Sequence, residues 1–113
     1  MSLSYANEKF SNAVRSLATS PSEIHGRLIE ATIYHISHVD SKRDMPVELQ
    51  DRFDELMDNL TKEPIGEAQI KAGEGKIHAS VQKLSTEEAV EAAEEIVALF
   101  HVVQDIYKAG PIG

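Results

Sequence analysis

The sequence predicts an all-α protein, a small bundle of four main helices plus one short helix after a glycine-containing loop. Apolar residues recur at three- and four-residue spacing along most of the 113 residues, as they do on one face of a helix. Proline, glycine and Ser-x-x-Glu signals divide these stretches into separate helices. The only stretch with strand-like alternation, Ile77, Ala79 and Val81, has no partner strand elsewhere in the sequence. We therefore predict a helix there too.

Length and composition exclude several classes of protein. The length fits a single domain, residues 1–113. There is no cysteine, which excludes thiol nucleophiles, thiolate metal ligands and redox pairs. The net charge is −8, and the few cations are dispersed, so we expect neither nucleic acid nor anionic lipid as a partner. Without a membrane-spanning stretch or signal peptide, the chain is expected to be cytoplasmic.

The first two helices are predicted to meet at a proline. The first covers residues 4–19, with an apolar stripe at Phe10, Ala13, Val14 and Leu17. Ser20 is then expected to cap a second helix, with Pro21 in its first turn and Glu23 completing a capping box. We predict that this second helix continues to Val39.

The second helix has an unusually wide apolar face. Ten residues fall within an arc of about 200°, far more than a surface helix needs. They are Ile24, His25, Leu28, Ile29, Ala31, Thr32, Ile33, His35, Ile36 and Val39. This helix is therefore expected to be covered on two sides.

The third helix is predicted to be an outer helix. Residues 40–44 form a polar connector, and Met45-Pro46 opens the helix, since proline is tolerated in a first turn. Leu49, Phe53, Leu56, Met57 and Leu60 make one apolar face, and acids occupy the other. Residues 62–75 are then expected to be a loop, because Pro64, Gly66, Gly73 and Gly75 interrupt the periodicity.

The last helix is predicted to be the longest. A short helix carrying Ile77, Val81 and Leu84 precedes it, and Ser85 with Glu88 forms a capping box at its start. It covers residues 86–109 and ends at Gly110-Pro111. Its central seam is predicted to be Ala89, Ala93, Ile96, Phe100, Val103 and Tyr107, flanked by Ala92, Leu99 and Ile106 on one side and by Val90 and Val97 on the other. This apolar arc is also about 200° wide.

Two wide-faced helices suggest self-association. The second and last helices are expected to form the centre, with the first and third covering them. A homodimer through the wide apolar faces of the second and last helices would bury the surplus apolar surface.

The best candidate for a ligand site lies on the second helix. His25, Thr32 and His35 are the only polar side chains inside its apolar arc, and buried polar groups must be paired. They are expected either to line a ligand pocket or to form a hydrogen-bonded core network. No metal site is predicted, because neither Glu-x-x-His nor His-Glu-x-x-His spacing occurs in the sequence.

Acidic pairs and a glycine-containing loop offer weaker candidates. Four pairs have the i, i+3 spacing that could hold Mg²⁺: Glu48/Asp51, Glu55/Asp58, Glu88/Glu91 and Glu91/Glu94. All-helical nucleotide pyrophosphohydrolases of the MazG type have a helix with Glu-x-x-Glu followed by a helix with Glu-x-x-Asp. In this sequence the Glu-x-x-Asp pairs come first, so a solvated acidic face is the favoured interpretation. The loop over residues 66–76 lacks a Walker motif and is interpreted as a connector. No cofactor is expected.

These patterns favour a non-enzymatic helical module that acts by protein interaction or self-association. The alternative is a small-molecule or metal-dependent all-α enzyme, for example one of nucleotide-hydrolase type.

Overall fold

The computed structural model describes residues 3–71 and 75–110, and it confirms the all-α prediction. The described part contains the helices α1 (Leu3–Thr19), α2 (Ile24–Tyr34), α3 (Ser41–Asp44), α4 (Gln50–Thr61), α5 (Glu67–Lys71), α6 (Lys76–Gln82) and α7 (Thr86–Ala109), with 3₁₀ turns at Ile36–His38 and Val47–Leu49. None of these residues forms a strand. The bundle is elongated, 53 × 26 × 20 Å.

The core lies where α1, α2 and α7 meet, and it extends to α4 and α6. α1 packs along both α7 and α2, whereas α4 packs chiefly against α6 and touches α7 less. Phe10 of α1 and Phe53 of α4 meet edge to face, with ring centroids 5.9 Å apart. α1 is therefore as central as α2 and α7, whereas the sequence analysis predicts it as a covering helix. The short α6 takes a larger part in covering α4 than the sequence indicates.

The predicted start of the second helix is wrong. α2 begins at Ile24, and its N-cap residue Glu23 makes no side-chain capping bond. Ser20 instead donates to Glu30 (Oγ to Oε2, 2.9 Å) and accepts the Ser22 N–H at 3.2 Å. This turn is also close-packed, because a Cβ on Gly26 would lie 2.7 Å from the Ser22 Cβ. The serine therefore bonds across the turn rather than capping the helix.

The second helix also ends earlier than predicted. α2 stops at Tyr34, and His35 has φ −127° and ψ −75°, outside the helical region. A 3₁₀ turn, Ile36–His38, carries the chain on to the extended Val39. The buried Ile36 thus reaches the core from the turn. The apolar arc of the sequence is therefore divided between two elements.

The predicted polar connector contains a short helix. Asp40 accepts the Arg43 N–H at 2.9 Å and caps α3. Asp44 is buried and accepts the Asp40 N–H at 2.8 Å. The expectation of a connector without a helix was wrong, because two aspartates one turn apart accept the backbone N–H groups of Asp40 and Arg43 at the start of a single helical turn.

The third helix starts later than predicted, and the loop after it is partly helical. Pro46 has ψ 144°, which is extended, so α4 begins at Gln50 after a 3₁₀ turn. α5 forms within the predicted loop. Gly73 and Glu74 of that loop lie outside the described residues.

α7 begins and ends as the sequence predicts. Ser85 Oγ accepts the Glu88 N–H at 3.0 Å, and Glu88 Oε1 accepts the Ser85 N–H at 2.8 Å, which completes the capping box. Gly110 follows the helix with φ 66°, a conformation that favours glycine. Pro111 lies outside the described residues. No helix in the described ranges is long and apolar enough to cross a membrane.

Candidate functional site

His25 and Thr32, two of the three predicted site residues, lie at different depths on α2. His25 is half-buried near the start of the helix, and its Nε2 is 2.9 Å from the Leu84 carbonyl oxygen in the turn before α7. Thr32 is fully buried, and its hydroxyl oxygen has no hydrogen-bond partner among residues 3–71 and 75–110. The His25 contact therefore links α2 to the turn between α6 and α7.

His35, the third predicted residue, lies at the opposite end of α2. Its pKa is lowered from the ordinary histidine value, first by burial and then by the positive charges of Lys9 and His38. The helical residues 26–34 separate it from His25, about 15 Å along the axis. A shallow depression beside His25 is lined by Gln82, Leu84, Ser85 and Thr86 and does not include His35. The structure therefore does not bring His25 and His35 into one pocket.

One acidic side chain of α4 and three of α7 line a common groove of 330 Å³. Its charged lining consists of Arg52, Glu55, Lys62, Glu88, Glu91 and Glu95. Within this lining, Arg52 donates two hydrogen bonds to Glu95, Nε to Oε2 at 3.0 Å and Nη2 to Oε1 at 2.8 Å.

Two of the groove acids already have partners. Glu95 is paired with Arg52, and Glu88 is held in the capping box, where the Ser85 N–H lowers its pKa. Within the described ranges, no three His, Asp or Glu side chains are placed to hold a metal ion. The groove is therefore a mixed-charge surface whose carboxylates are partly neutralised.

A cluster of charged residues around Tyr5 has no counterpart in the sequence prediction. The Lys9 ammonium lies 5.3 Å and the Arg43 guanidinium 6.0 Å from the centre of the Tyr5 ring. Arg43 also donates to Asp44 through Nε at 3.0 Å and Nη2 at 2.9 Å. Helical periodicity could not reveal this cluster, because it joins α1 to α3 across the fold.

The apolar residues of α7 form two neighbouring seams, of which one is buried and the other is only partly covered. The covered seam is Ala89, Ala92, Ile96, Leu99, Val103 and Ile106, all buried or packed against the core. The second seam, which we call the outer seam, consists of Val90, Ala93, Val97, Phe100, Gln104 and Tyr107. Val90 is 40% exposed and Tyr107 45% exposed, the other four are half-buried, and Phe100 packs partly against the core.

The covered seam corrects the predicted centre of the last helix. Ala93, Phe100 and Tyr107 were expected at the centre, but the buried centre is displaced toward Leu99 and Ile106. Because of this displacement, the flank of α7 that carries Val90 and Val97 is partly exposed. The heptad spacing of the outer seam could have been found in the sequence, but its exposure depends on where α1 and α2 pack.

Comparisons with protein-family models, curated proteins and solved structures found no match for this chain. A functional proposal therefore depends on the chemistry of the surfaces described above.

Proposed function

We propose that this protein is a non-enzymatic helical module that associates with itself as a homodimer through the outer seam of α7. The single observation that supports this proposal is the partial exposure of that seam, with Val90 and Tyr107 as its exposed members. Six residues at alternating three- and four-residue spacing follow one flank of a 24-residue helix, and five of them are apolar or aromatic. Such spacing is typical of a helix that pairs with another helix.

The outer seam differs from the scattered apolar residues that any protein surface carries. Val47, the most exposed large apolar residue in the described part of the chain, lies on a 3₁₀ turn at 80% exposure. The outer seam instead runs continuously for about 26 Å, from Val90 to Tyr107. A stripe that is apolar at all positions but Gln104 marks an interaction surface more strongly than an isolated residue does.

α2 contributes less to the proposed interface than its wide face suggests. Leu28, Ala31 and Thr32 are fully buried within the same chain. Ile33 and Tyr34 are the exposed large apolar residues of this helix, at 36% and 65%. The proposal therefore depends on α7.

Sedimentation velocity on two matched variants tests the proposal. Val97→Glu places a charge in the middle of the outer seam, and Val47→Glu makes the same change away from it. A single helix pair buries an area at the low end of specific interfaces, so we expect a dissociation constant of the wild-type dimer of about micromolar magnitude. Wild type and Val47→Glu should be dimers at about 200 µM, and Val97→Glu should be a monomer.

Two results would contradict this proposal. One is a wild-type protein that remains monomeric at about 1 mM. The other is a Val97→Glu variant that dimerises as well as Val47→Glu does. Circular dichroism of all three proteins is the control for folding.

The groove between α4 and α7 supports a second candidate function, a small-molecule or metal-dependent enzyme. Glu55 and Glu91 line it without the ion pair or capping contact that engages Glu95 and Glu88. A divalent cation bound there would raise the melting temperature, since a ligand of the folded state stabilises it. No shift with about 5 mM Mg²⁺ or about 0.1 mM Zn²⁺ would exclude a cation-dependent site.

A further inference from the structure

The charges on α7 are distributed unevenly along its length. Five acids, Glu87, Glu88, Glu91, Glu94 and Glu95, lie in the first ten residues of the helix. The later part carries Asp105, but also the exposed His101 and Lys108. The two ends of the helix therefore differ in charge, and this difference bears on how two copies can pair.

Parallel pairing of two copies is unfavourable for this helix. It would place the acidic half beside the same acidic half of the second copy and align the two helix dipoles. Like charges at close range destabilise a helix pair. Antiparallel pairing instead places the acidic half of each helix beside the half that carries His101 and Lys108.

The spacing of the outer seam also fits an antiparallel pair. Val90, Val97 and Gln104 occupy one heptad position, and Ala93, Phe100 and Tyr107 occupy the other. In an antiparallel pair these two positions face each other in layers. A twofold axis between Val97 and Phe100 makes three kinds of layer: Val97 with Phe100, Val90 with Tyr107, and Ala93 with Gln104 of the second copy.

We propose that α7 forms an antiparallel coiled coil with α7 of a second copy, with the twofold axis between Val97 and Phe100. This inference rests on the proposed self-association and adds its geometry. Each layer matches a larger side chain with a smaller or more flexible one, which favours close packing. Gln104 is the only polar member of the seam, and it meets the smallest, Ala93. A single polar position of this kind fixes the register of helix pairs.

The exposed residues that border the seam complement one another in this register. Glu87, Glu94, His101 and Lys108 follow one another at seven-residue intervals, and all four are exposed. About the same axis, Glu87 lies near Lys108 of the second copy, and Glu94 lies near His101 of the second copy. The twofold symmetry repeats both pairs. Charged residues at such positions set the orientation of coiled coils.

Disulfide trapping distinguishes antiparallel from parallel pairing. The chain has no cysteine, so introduced thiols are the only ones present. In the double variant Ala93→Cys/Gln104→Cys, the thiol introduced at position 93 of each copy would face the thiol at position 104 of the other. Within one helix these positions are about 16 Å apart, too far for an internal disulfide. The single variant Ala93→Cys is the matched control, because its thiols approach each other only in a parallel pair.

We expect mild oxidation to convert most of the double variant into a covalent dimer on non-reducing gels, and less than about a tenth of the single variant. Efficient cross-linking of the single variant would overturn the antiparallel geometry. So would failure of the double variant to cross-link while sedimentation shows that it is a folded dimer. A wild-type protein that is monomeric would instead refute the proposed function itself, so the two failures are distinguishable.

A charge-swap measurement tests the register without cysteines. Lys108→Glu should weaken dimerisation by about 3- to 10-fold, because the new carboxylate would face Glu87 of the second copy at two symmetric positions. Adding Glu87→Lys should restore most of this loss if the two residues are neighbours across the axis. A double variant as weak as Lys108→Glu alone would overturn the assigned register.

Discussion

Replacing Asp44 with asparagine should destabilise the protein in a pH-dependent way. The Asp44 side chain is fully buried, and its carboxylate accepts three hydrogen bonds, one from the Asp40 N–H at 2.8 Å and two from Arg43. The Arg43 side chain is 56% exposed, so solvent reduces the contribution of the Arg43–Asp44 ion pair to the free energy of unfolding. The Asp40 N–H bond to a charged acceptor contributes about 1.5–3 kcal/mol. Asparagine keeps one acceptor but loses the charge.

The expected loss in unfolding free energy is about 2 kcal/mol at pH 7, which corresponds to about 8 °C in melting temperature for a domain of this size. The Arg43 hydrogen bonds are the main reason that the pKa of Asp44 lies below its ordinary value. A carboxyl with a lowered pKa stabilises the fold above its unfolded pKa of about 4, and this stability is lost as the pH falls through the folded pKa. The difference between wild type and Asp44→Asn should therefore shrink between pH 5 and pH 3.

Urea unfolding at fixed protein concentration, followed by circular dichroism at several pH values, measures both effects. Asp58→Asn, at an exposed acid on α4, is the matched control and should change stability by less than about 0.5 kcal/mol. The reasoning is refuted if Asp44→Asn behaves like Asp58→Asn at pH 7. It is also refuted if the loss of stability is the same at pH 3 as at pH 7.

Three further predictions concern the α7 cap, His35 and the groove. Ser85→Ala removes the capping hydroxyl and should cost about 1 kcal/mol in thermal or urea unfolding, whereas a cost below about 0.3 kcal/mol would contradict the role of the capping box. Burial and neighbouring cations lower the pKa of His35 in the folded protein. The fold therefore favours neutral His35, and stability is lost as the pH falls from the unfolded pKa of about 6.5 through the lower folded pKa. Unfolding at pH 7.5 and pH 5.5 should therefore show a smaller acid-induced loss for His35→Leu than for wild type, and equal losses would disprove it. Arg52→Ala should change unfolding free energy by less than about 1 kcal/mol, since both partners of the Arg52–Glu95 pair are partly exposed, and a larger effect would give the groove a structural role.

The sequence predicts the long helices well because their signals are local. The stripe containing Phe10 and Ala13 marks α1, and the Ser85–Glu88 capping box and Gly110 mark the ends of α7. Each of these features depends on residues within one or two turns of one another. The short elements are harder to predict, since α3 and the early end of α2 are set by bonds and packing that periodicity does not record.

The predicted site illustrates the same division. His25, Thr32 and His35 would share one apolar arc if the helix continued through His35. The chain leaves helical geometry at that residue. The groups that act on them come from distant parts of the chain: the Leu84 carbonyl contacts His25, and the charge of Lys9 lowers the pKa of His35. Their role as a ligand site remains a prediction.

The sequence by itself determined that the chain is all-helical and that α7 carries more apolar surface than one face requires. The tertiary structure alone decided which part of that surface is covered. Helical spacing specifies the angles at which side chains leave an axis, but the position of a neighbouring helix depends on contacts made along the whole chain. Packing buries Leu99 and Val103 and leaves Val90 and Tyr107 half-exposed. The outer seam is a consequence of that packing.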